Sequence, residues 1–344
     1  MRKKSLIVVI ISLSSLIVQA QKGGSGLYGF LNNFNSNAKS AALGMDFVSA
    51  YTNDLNFAMS NPSLLSDSVN NDFSLTYTDI FAGINQYALA YSHTFKSIGS
   101  FGFGLQYLDY GSFTSTEANG YITSKFYVSD YVFNISWGRQ LDENVFIGAS
   151  AKPIFSQYES YSAFALAFDI AATYISSNRS WGATLMIKNF GKQLKQLYSV
   201  TEDLPFNVSL GVSKKLKYAP LTLYATLSDI NNWDLMYKDA LNDEQNVDLD
   251  GNIVKKEDNA FLHELDNAFR HLIVGVNFKP SKHFDISLGY SWRRNREMAV
   301  ADAFSLTGFS YGCNIYIKRF TISYARSEYH IYGSPNYITL SVKI

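Results

Sequence analysis

From residue 73 onward, apolar and polar residues alternate along the chain in segments of about nine to twelve residues. In one segment Phe284, Ile286 and Leu288 alternate with Asp285 and Ser287. A period of two is typical of a β-strand whose two faces meet different surroundings. The pattern therefore predicts a chain built mainly of strands.

The alternating segments number about fourteen, and an even number is typical of bacterial single-chain membrane barrels. The connections after even-numbered segments are short and polar, whereas most of those after odd-numbered segments are long, as in an outer-membrane barrel. Two odd-numbered connections, near residues 82–84 and 157–160, are short. The predicted strands are residues 73–80, 85–95, 100–110, 128–139, 144–155, 161–175, 181–190, 206–214, 221–229, 271–279, 283–293, 304–317, 319–327 and 336–344.

Alternation alone fits both a soluble two-sheet sandwich and a membrane barrel, and the composition separates the two. Charged residues make up only 17% of the chain and aromatic residues 15%. The second face of the strands carries mostly Gly, Ser, Thr, Asn and Tyr, not the Lys, Glu and Arg of a solvated sheet. We therefore predict an all-β outer-membrane barrel of about fourteen antiparallel strands. Aromatic residues near predicted strand ends suggest an interfacial girdle: Tyr107, Tyr110, Trp137, Tyr290 and Trp292.

The amino-terminal residues have the features of an export signal. Arg2, Lys3 and Lys4 precede an apolar run over residues 6–18, and Ala20 closes a small-residue cleavage site. The run is too short to span a bilayer as a helix. We expect residues 1–20 to be a signal peptide.

Residues 21–72 precede the first strand and are predicted to plug a barrel at residues 73–344. A fourteen-stranded lumen is too wide for its own side chains to fill, so water or a plug must occupy it. Short helices are predicted at Ala38–Ala42 and residues 55–59. A disordered periplasmic arm is the alternative. The predicted plug residues are Phe30, Leu31, Leu43, Asn61 and Pro62.

The titratable residues point to no enzyme, metal or cofactor site. The chain has 29 basic and 29 acidic residues, so it has no electrostatic basis for binding nucleic acid. The five histidines are scattered, Cys313 is the single cysteine, and no nucleophile elbow occurs. The acidic stretch around Asp248 resembles a calcium loop but lacks its spaced ligands.

The longest predicted external loop, residues 230–270, is the strongest candidate for partner binding. Trp233, Leu235 and Tyr237 open the loop, and an apolar helical face closes it near residue 269. Exposed aromatic residues on an external loop are typical of a docking surface for a protein. A lid folded over the barrel mouth is the alternative.

Several short motifs, in this order and spacing, resemble the PorQ family of the Bacteroidetes type IX secretion system. In the amino-terminal region they are residues 24–31 (GSGLYGFL), 38–44 (AKSAALG) and 61–65 (NPSLL). In the middle region they are residues 204–206 (LPF), 210–221 (LGVSKKLKYAPL) and 233–235 (WDL). The resemblance covers essentially the whole mature chain. Met45 departs from it, because members of the family tend to carry a second glycine there.

The resemblance implies a non-enzymatic outer-membrane barrel, related to the FadL-like fold and to PorV. Such a protein is expected to hold a PorZ-like protein at the cell surface, in one complex with PorU and PorV that processes and attaches secreted cargo. The alternative function is that of a FadL-like transporter of hydrophobic small molecules. A kinked strand and an apolar pocket under the plug would favour transport, and Pro153 is a candidate for the kink.

Overall fold

The structure is a computed structural model. It describes residues 26–33, 36–45, 48–49, 54–236, 246–247, 253–254, 260–300 and 304–344. The predicted signal peptide at residues 1–20 and the acidic loop around Asp248 lie outside the described residues.

Fourteen antiparallel strands close into a barrel, in which each strand pairs with its neighbours along the chain and the first pairs with the last. This confirms the predicted fold. The strands are β1 (Asp72–Phe81), β2 (Ile84–Phe95), β3 (Gly99–Thr116), β4 (Ile122–Asp142), β5 (Val145–Tyr158), β6 (Tyr161–Ile175), β7 (Trp181–Lys195), β8 (Asn207–Lys215), β9 (Leu221–Leu227), β10 (Leu272–Phe278), β11 (Phe284–Ser291), β12 (Phe309–Ile317), β13 (Phe320–Ser327) and β14 (Asn336–Lys343).

Short helices lie in the amino-terminal segment and in the external loops. They are α1 (Phe30–Asn33), α2 (Ala38–Ala42), α3 (Leu55–Ser60), α4 (Ala260–Arg270) and α5 (Trp292–Met298), with 3₁₀ turns at Pro62–Leu64 and Asp67–Val69. A two-stranded ribbon pairs Asn246–Val247 with Ile253–Val254. Across the described residues, every helix is too short or too polar to cross a membrane.

The two faces of the wall have the polarity expected of a barrel in lipid. On β11 the side chain of Leu288 is 50% exposed on the outside, whereas Ser287 is 1% exposed and faces the lumen. The same alternation continues on β14, where Ile338 and Leu340 point outward and Thr339 points inward. A soluble sandwich would bury these aliphatic side chains instead. The protein is therefore an outer-membrane barrel that crosses the bilayer with its strands.

Four predicted strand ends are wrong by five or six residues, at Thr116, Ile122, Lys195 and Phe309, and the end of β11 is wrong by two. β3 and β4 continue to Thr116 and from Ile122, so most of the predicted loop 111–127 is a tall hairpin. Phe113 and Phe126 stack across it, and such cross-strand pairs stabilise a hairpin beyond the barrel. Predicted strand 283–293 ends at Ser291, whose hydroxyl accepts a hydrogen bond from the Arg294 amide and caps α5.

The aromatic girdle is present at the outer rim. Tyr77, Tyr87, Tyr107 and Tyr131 form a ladder of rings across β1 to β4, with centroids 4.8–6.1 Å apart. Tyr110 does not belong to the girdle, because its hydroxyl donates to Asp130 at 2.8 Å on the lumen side. It is three residues from Tyr107 and so lies on the opposite face of the strand.

Candidate functional site

The amino-terminal segment lies inside the barrel, and its helix α2 is bonded to the wall. The backbone amide of Ala38 donates to the hydroxyl of Thr339 on β14 at 3.0 Å. The Asn37 side chain accepts from the Ser40 amide at 2.8 Å and so caps the helix. The amino-terminal end of the short helix is thus fixed, and its alanines pack against buried Tyr337. These contacts hold α2 against the wall formed by β12, β13 and β14.

Inward-facing glycines receive the plug at several points of the wall. An added Cβ on Gly289 would overlap the backbone of Leu43, and one on Gly275 would lie 3.1 Å from the Leu43 side chain. On the opposite wall, an added Cβ on Gly102 would lie 2.8 Å from the Met59 sulfur. Glycine on the inner face therefore provides depressions into which plug residues fit.

Asn61 and Ser63 connect the plug to the wall by hydrogen bonds. The side-chain nitrogen of Asn61 donates to the Val48 carbonyl at 2.7 Å. Its side-chain oxygen accepts from the backbone amide of Ser63 at 3.1 Å. The Ser63 hydroxyl lies 2.6 Å from that of Thr173 on β6, which lies 2.7 Å from that of Thr184. Because all of these groups are buried, the network fixes the plug in one position.

A buried ion pair joins α2 to α3. The Lys39 Nζ lies 2.5 Å from the Asp54 carboxylate and 5.0 Å from the ring centroid of Tyr316. Tyr316 in turn donates to Asp285 at 2.6 Å. Asp54 also caps α3 by accepting from the Asn56 amide at 2.9 Å. The pair therefore links the two plug helices to each other and to the wall.

Arg294 of α5 holds the plug from the outer end of the barrel. Its guanidinium donates to the Gly44 carbonyl at 3.2 Å and to the Ser310 hydroxyl at 3.1 Å, and it lies 4.4 Å from the ring centroid of Tyr329. The side chain is buried, so these contacts replace its water shell. α5 thus extends from the β11–β12 loop to the lumen, where Arg294 contacts the plug.

The predicted plug residues lie within this packing. Phe30 is buried beside Leu108 and Val132, and Leu31 packs partly against the same cluster. Leu43, Asn61 and Pro62 are buried inside the barrel. The limits of the plug as a separate unit, residues 21–72, stay a prediction.

Two small cavities lie between the described part of the plug and the wall. A cavity of about 10 Å³ lies beside Phe30, lined by Gln86, Asp130 and Val132, and one of about 20 Å³ lies beside Met59 and Asn134. Each has room for about one water molecule. The apolar pocket that would favour transport does not occur among these cavities of the described residues. Neither of these two cavities has room for a hydrocarbon.

The wall next to these cavities contains an interruption in its hydrogen bonding. β4 and β5 pair from Val128 to Val132 and again from Ile135, but the two positions between them, opposite Pro153 and Lys152, are unpaired. Proline has no backbone N–H to donate to the ladder. Lys152 faces the lumen, where its Nζ lies 2.8 Å from the Asp169 carboxylate. The hydrogen-bond ladder between β4 and β5 is therefore interrupted beside Pro153.

The predicted partner-binding residues lie at the outer mouth. The Trp233 indole is 55% exposed and stacks on His271 at 4.9 Å between centroids, and the Trp233 carbonyl accepts from the Asn267 side chain. The Leu235 amide donates to the Asn267 side-chain oxygen at 3.1 Å. Tyr237 lies outside the described residues. Trp233 and Leu235 are thus both held against α4 by the side chain of Asn267.

Asp266 of α4 joins this helix to α5. Its carboxylate accepts from Arg270, Arg296 and the Trp292 indole at 2.8–3.1 Å. Burial alone would raise the pKa of this carboxyl, but the hydrogen bonds from Trp292 and Arg270 and the two positive charges lower it below its usual value. Asp266 is therefore charged at neutral pH, when it holds the two helices together.

Sequence reasoning missed Arg294 and the glycine contacts. A local signal existed for α5, because Ser291 precedes a run of good helix formers, WRRNREM, at residues 292–298. The contact between Arg294 and Gly44 joins residues 250 positions apart, and no local pattern encodes it.

Among known proteins, this chain is similar to solved structures in its fold, whereas comparisons of its sequence find no match. No protein-family model and no curated protein matches the chain. A solved structure titled the TodX deltaS2S3 mutant monoaromatic hydrocarbon channel is 13% identical, with a TM-score of 0.52, and covers 90% of this chain and 99% of its own. The P. putida toluene transporter TodX is 13% identical, with a TM-score of 0.51, over 91% and 99%. At this identity the similarity shows the fold alone.

Proposed function

We propose that this barrel carries small hydrophobic molecules across the outer membrane. These molecules enter it through the wall beside Pro153. The observation that carries the proposal is the interrupted ladder between β4 and β5. At this point an apolar solute leaving the bilayer would meet a gap in the row of backbone hydrogen bonds. Directly inside lies the Asn134 side chain, which donates to the Met59 carbonyl of the plug at 3.3 Å.

The similarity to TodX supports this proposal over the anchoring function that the sequence resemblance implies. Two TodX structures with the same fold are described as a toluene transporter and as a monoaromatic hydrocarbon channel. The plug packs tightly against the inward-facing glycines, so passage requires the plug to move away from them. The segment near Met59 is the part that must move first, because it lies against the interrupted wall.

Transport is tested with purified protein in lipid vesicles. Pro153→Val restores a backbone donor and closes the ladder, so uptake of a small aromatic hydrocarbon should fall several-fold. Ala149→Val is the matched control, because it is also an outward-facing change on β5 but lies opposite Trp137, where the ladder is intact. Equal uptake by both variants and the unchanged protein would exclude this route. Uptake no faster than in empty vesicles would exclude transport.

A second candidate function is the anchoring of a PorZ-like protein at the cell surface, beside PorU and PorV. It is supported by the resemblance to the PorQ family and by the exposed Trp233 indole at the outer mouth, held by His271 and α4. Large aromatic side chains in fixed positions are frequent anchors in protein interfaces.

Anchoring is tested by surface retention of the PorZ-like protein in cells. Trp233→Ala should release it to the medium. Tyr218→Ala is the matched control, because this exposed tyrosine lies in the β8–β9 turn at the other end of the barrel. Retention by the Trp233→Ala variant, at a normal barrel level in the outer membrane, would contradict this function.

A further inference from the structure

The barrel wall is not equally tall around its circumference. β9 and β10 have 7 residues each and β11 has 8, whereas β3 has 18 and β4 has 21. Seven residues extend about 20 Å along a strand, and about 15 Å along the membrane normal at a tilt of about 40°. The apolar band of an outer-membrane barrel is about 25 Å tall. The strands β9, β10 and β11 fall short of this height by about 7–10 Å, as do β13 and β14 with 8 residues each.

The helix α4 lies directly above the short strands. It ends at Arg270, and β10 begins at Leu272. A helix with its side chains is about 10–12 Å in diameter, which equals the missing height if the helix lies flat on the rim. The outer end of β10 is therefore joined directly to a helix.

The orientation of α4 on the rim is fixed by its polar side. Asn267 is buried and bonded to the backbone of Trp233 and Leu235, and Asp266 is bonded to the side chains of α5. The stripe opposite Asn267 is apolar, with Leu262 58% exposed, Leu265 42% and Phe269 39%. Asp266 lies at the edge of this stripe, one turn after Leu262. Positions 262, 265 and 269 share one face of a helix.

This apolar face is continuous with the lipid-facing belt of the barrel. The ring of Phe269 lies 5.2 Å from that of Trp292, which lies 6.0 Å from Tyr290, and Tyr290 lies 4.8 Å from Phe309. Tyr290 and Phe309 are outward-facing residues of β11 and β12. An unbroken path of aromatic contacts thus leads from the membrane surface of the strands to α4.

We propose that α4 is an interfacial helix whose apolar face lies in the outer leaflet of the membrane, completing the height of the wall over β9, β10 and β11. Its partner is lipid, at the boundary between headgroups and acyl chains. This surface and the partner surface around Trp233 lie on different sides of α4. The inference therefore depends on neither proposed function, only on the barrel being in the membrane.

The position of α4 can be measured with a fluorophore in vesicles. Cys313→Ala removes the native thiol, and Leu265→Cys then carries an environment-sensitive nitrobenzoxadiazole label. We expect emission at shorter wavelength and several-fold stronger quenching by lipids with a spin label in the acyl chain than for Glu264→Cys. Glu264 is the matched control, because it is adjacent and also exposed but lies off the apolar face. Heat-modifiable gel migration confirms that each labelled barrel is folded.

Water-like emission and equal, weak quenching at both positions would overturn the proposal. Shielding of the Leu265→Cys label in native membranes but not in vesicles would also overturn it, because that result assigns the face to a protein partner. A second variant tests the contribution to insertion without a label. Leu262→Asp combined with Leu265→Asp should slow barrel insertion into thick bilayers more than into thin ones, whereas equal rates would count against the lipid contact.

Discussion

Gly138 on β4 faces Gly148 on β5, and the peptide carbonyl of Pro62 lies against both of them. A Cβ on either glycine would overlap that carbonyl, so only glycine leaves room for the plug at this point. The lumen is thus shaped by missing side chains on the wall as much as by the side chains of the plug. This contact also fixes the 3₁₀ turn Pro62–Leu64 against β4, β5 and β6.

Gly148→Ala should therefore displace the plug without unfolding the barrel. The methyl group overlaps plug backbone, and overpacking of this kind costs about 1–3 kcal/mol. We expect higher single-channel conductance in planar bilayers. Gly182→Ala is the control, because the three atoms nearest to its Cβ would all belong to the wall and not to the plug, the nearest being the Ser213 hydroxyl at 3.3 Å. Equal conductance of the two variants would show that the glycine contact does not hold the plug.

The lipid-facing surface makes a prediction that depends on depth in the membrane. Leu288→Arg near the middle of β11 should destabilise the barrel by about 2–4 kcal/mol, and Ile317→Arg at the inner end of β12 by about 0–1 kcal/mol. Both side chains are exposed on the outer face, so burial in protein does not explain a difference. Urea unfolding in vesicles measures it. A similar loss at both positions would contradict the assigned membrane position.

The strands could be predicted from the sequence because alternation is a local signal. β6 runs from Tyr161 to Ile175, as predicted, and the remaining barrel strands overlap their predicted ranges. The inward position of Gly102 also follows from alternation. Its function does not, because the contact with Met59 depends on how a segment distant in the sequence packs into the lumen.

The outer end was harder to predict than the wall. Trp233 and Leu235 follow β9 and lie against α4, but the stacking of Trp233 on His271 joins residues 38 positions apart. Strand lengths beyond the membrane have no hydrophobic requirement, so alternation weakens there and predicted ends shift, as at Thr116.

The contact between α4 and α5 should weaken in acid. The pKa of Asp266 is lower in the folded protein than its usual value of 3.8, so its stabilising effect is complete above that value and is lost as the pH falls through the folded pKa. A spin label at Leu262→Cys, in the Cys313→Ala background, should gain mobility below about pH 3.8. Asp266→Asn should give the mobile spectrum already at pH 7. If the spectrum of the labelled protein with Asp266 intact did not change with pH, this coupling would be contradicted.

The Lys39–Asp54 ion pair should hold the plug in the lumen. Removing one partner should destabilise this position more than removing both. Lys39→Met leaves a buried carboxylate without its cation, which costs about 3–5 kcal/mol when the charge stays buried. We expect the plug to move out into water to avoid this cost, which exposes it to a protease added from the periplasmic side. Lys39→Met combined with Asp54→Leu leaves no charge, and it should restore most of the protection. Asp54 also caps α3, so a residual loss of about 1 kcal/mol is expected from the double variant. Equal cleavage of the plug in the single and double variants would show that the charge pair does not control its position.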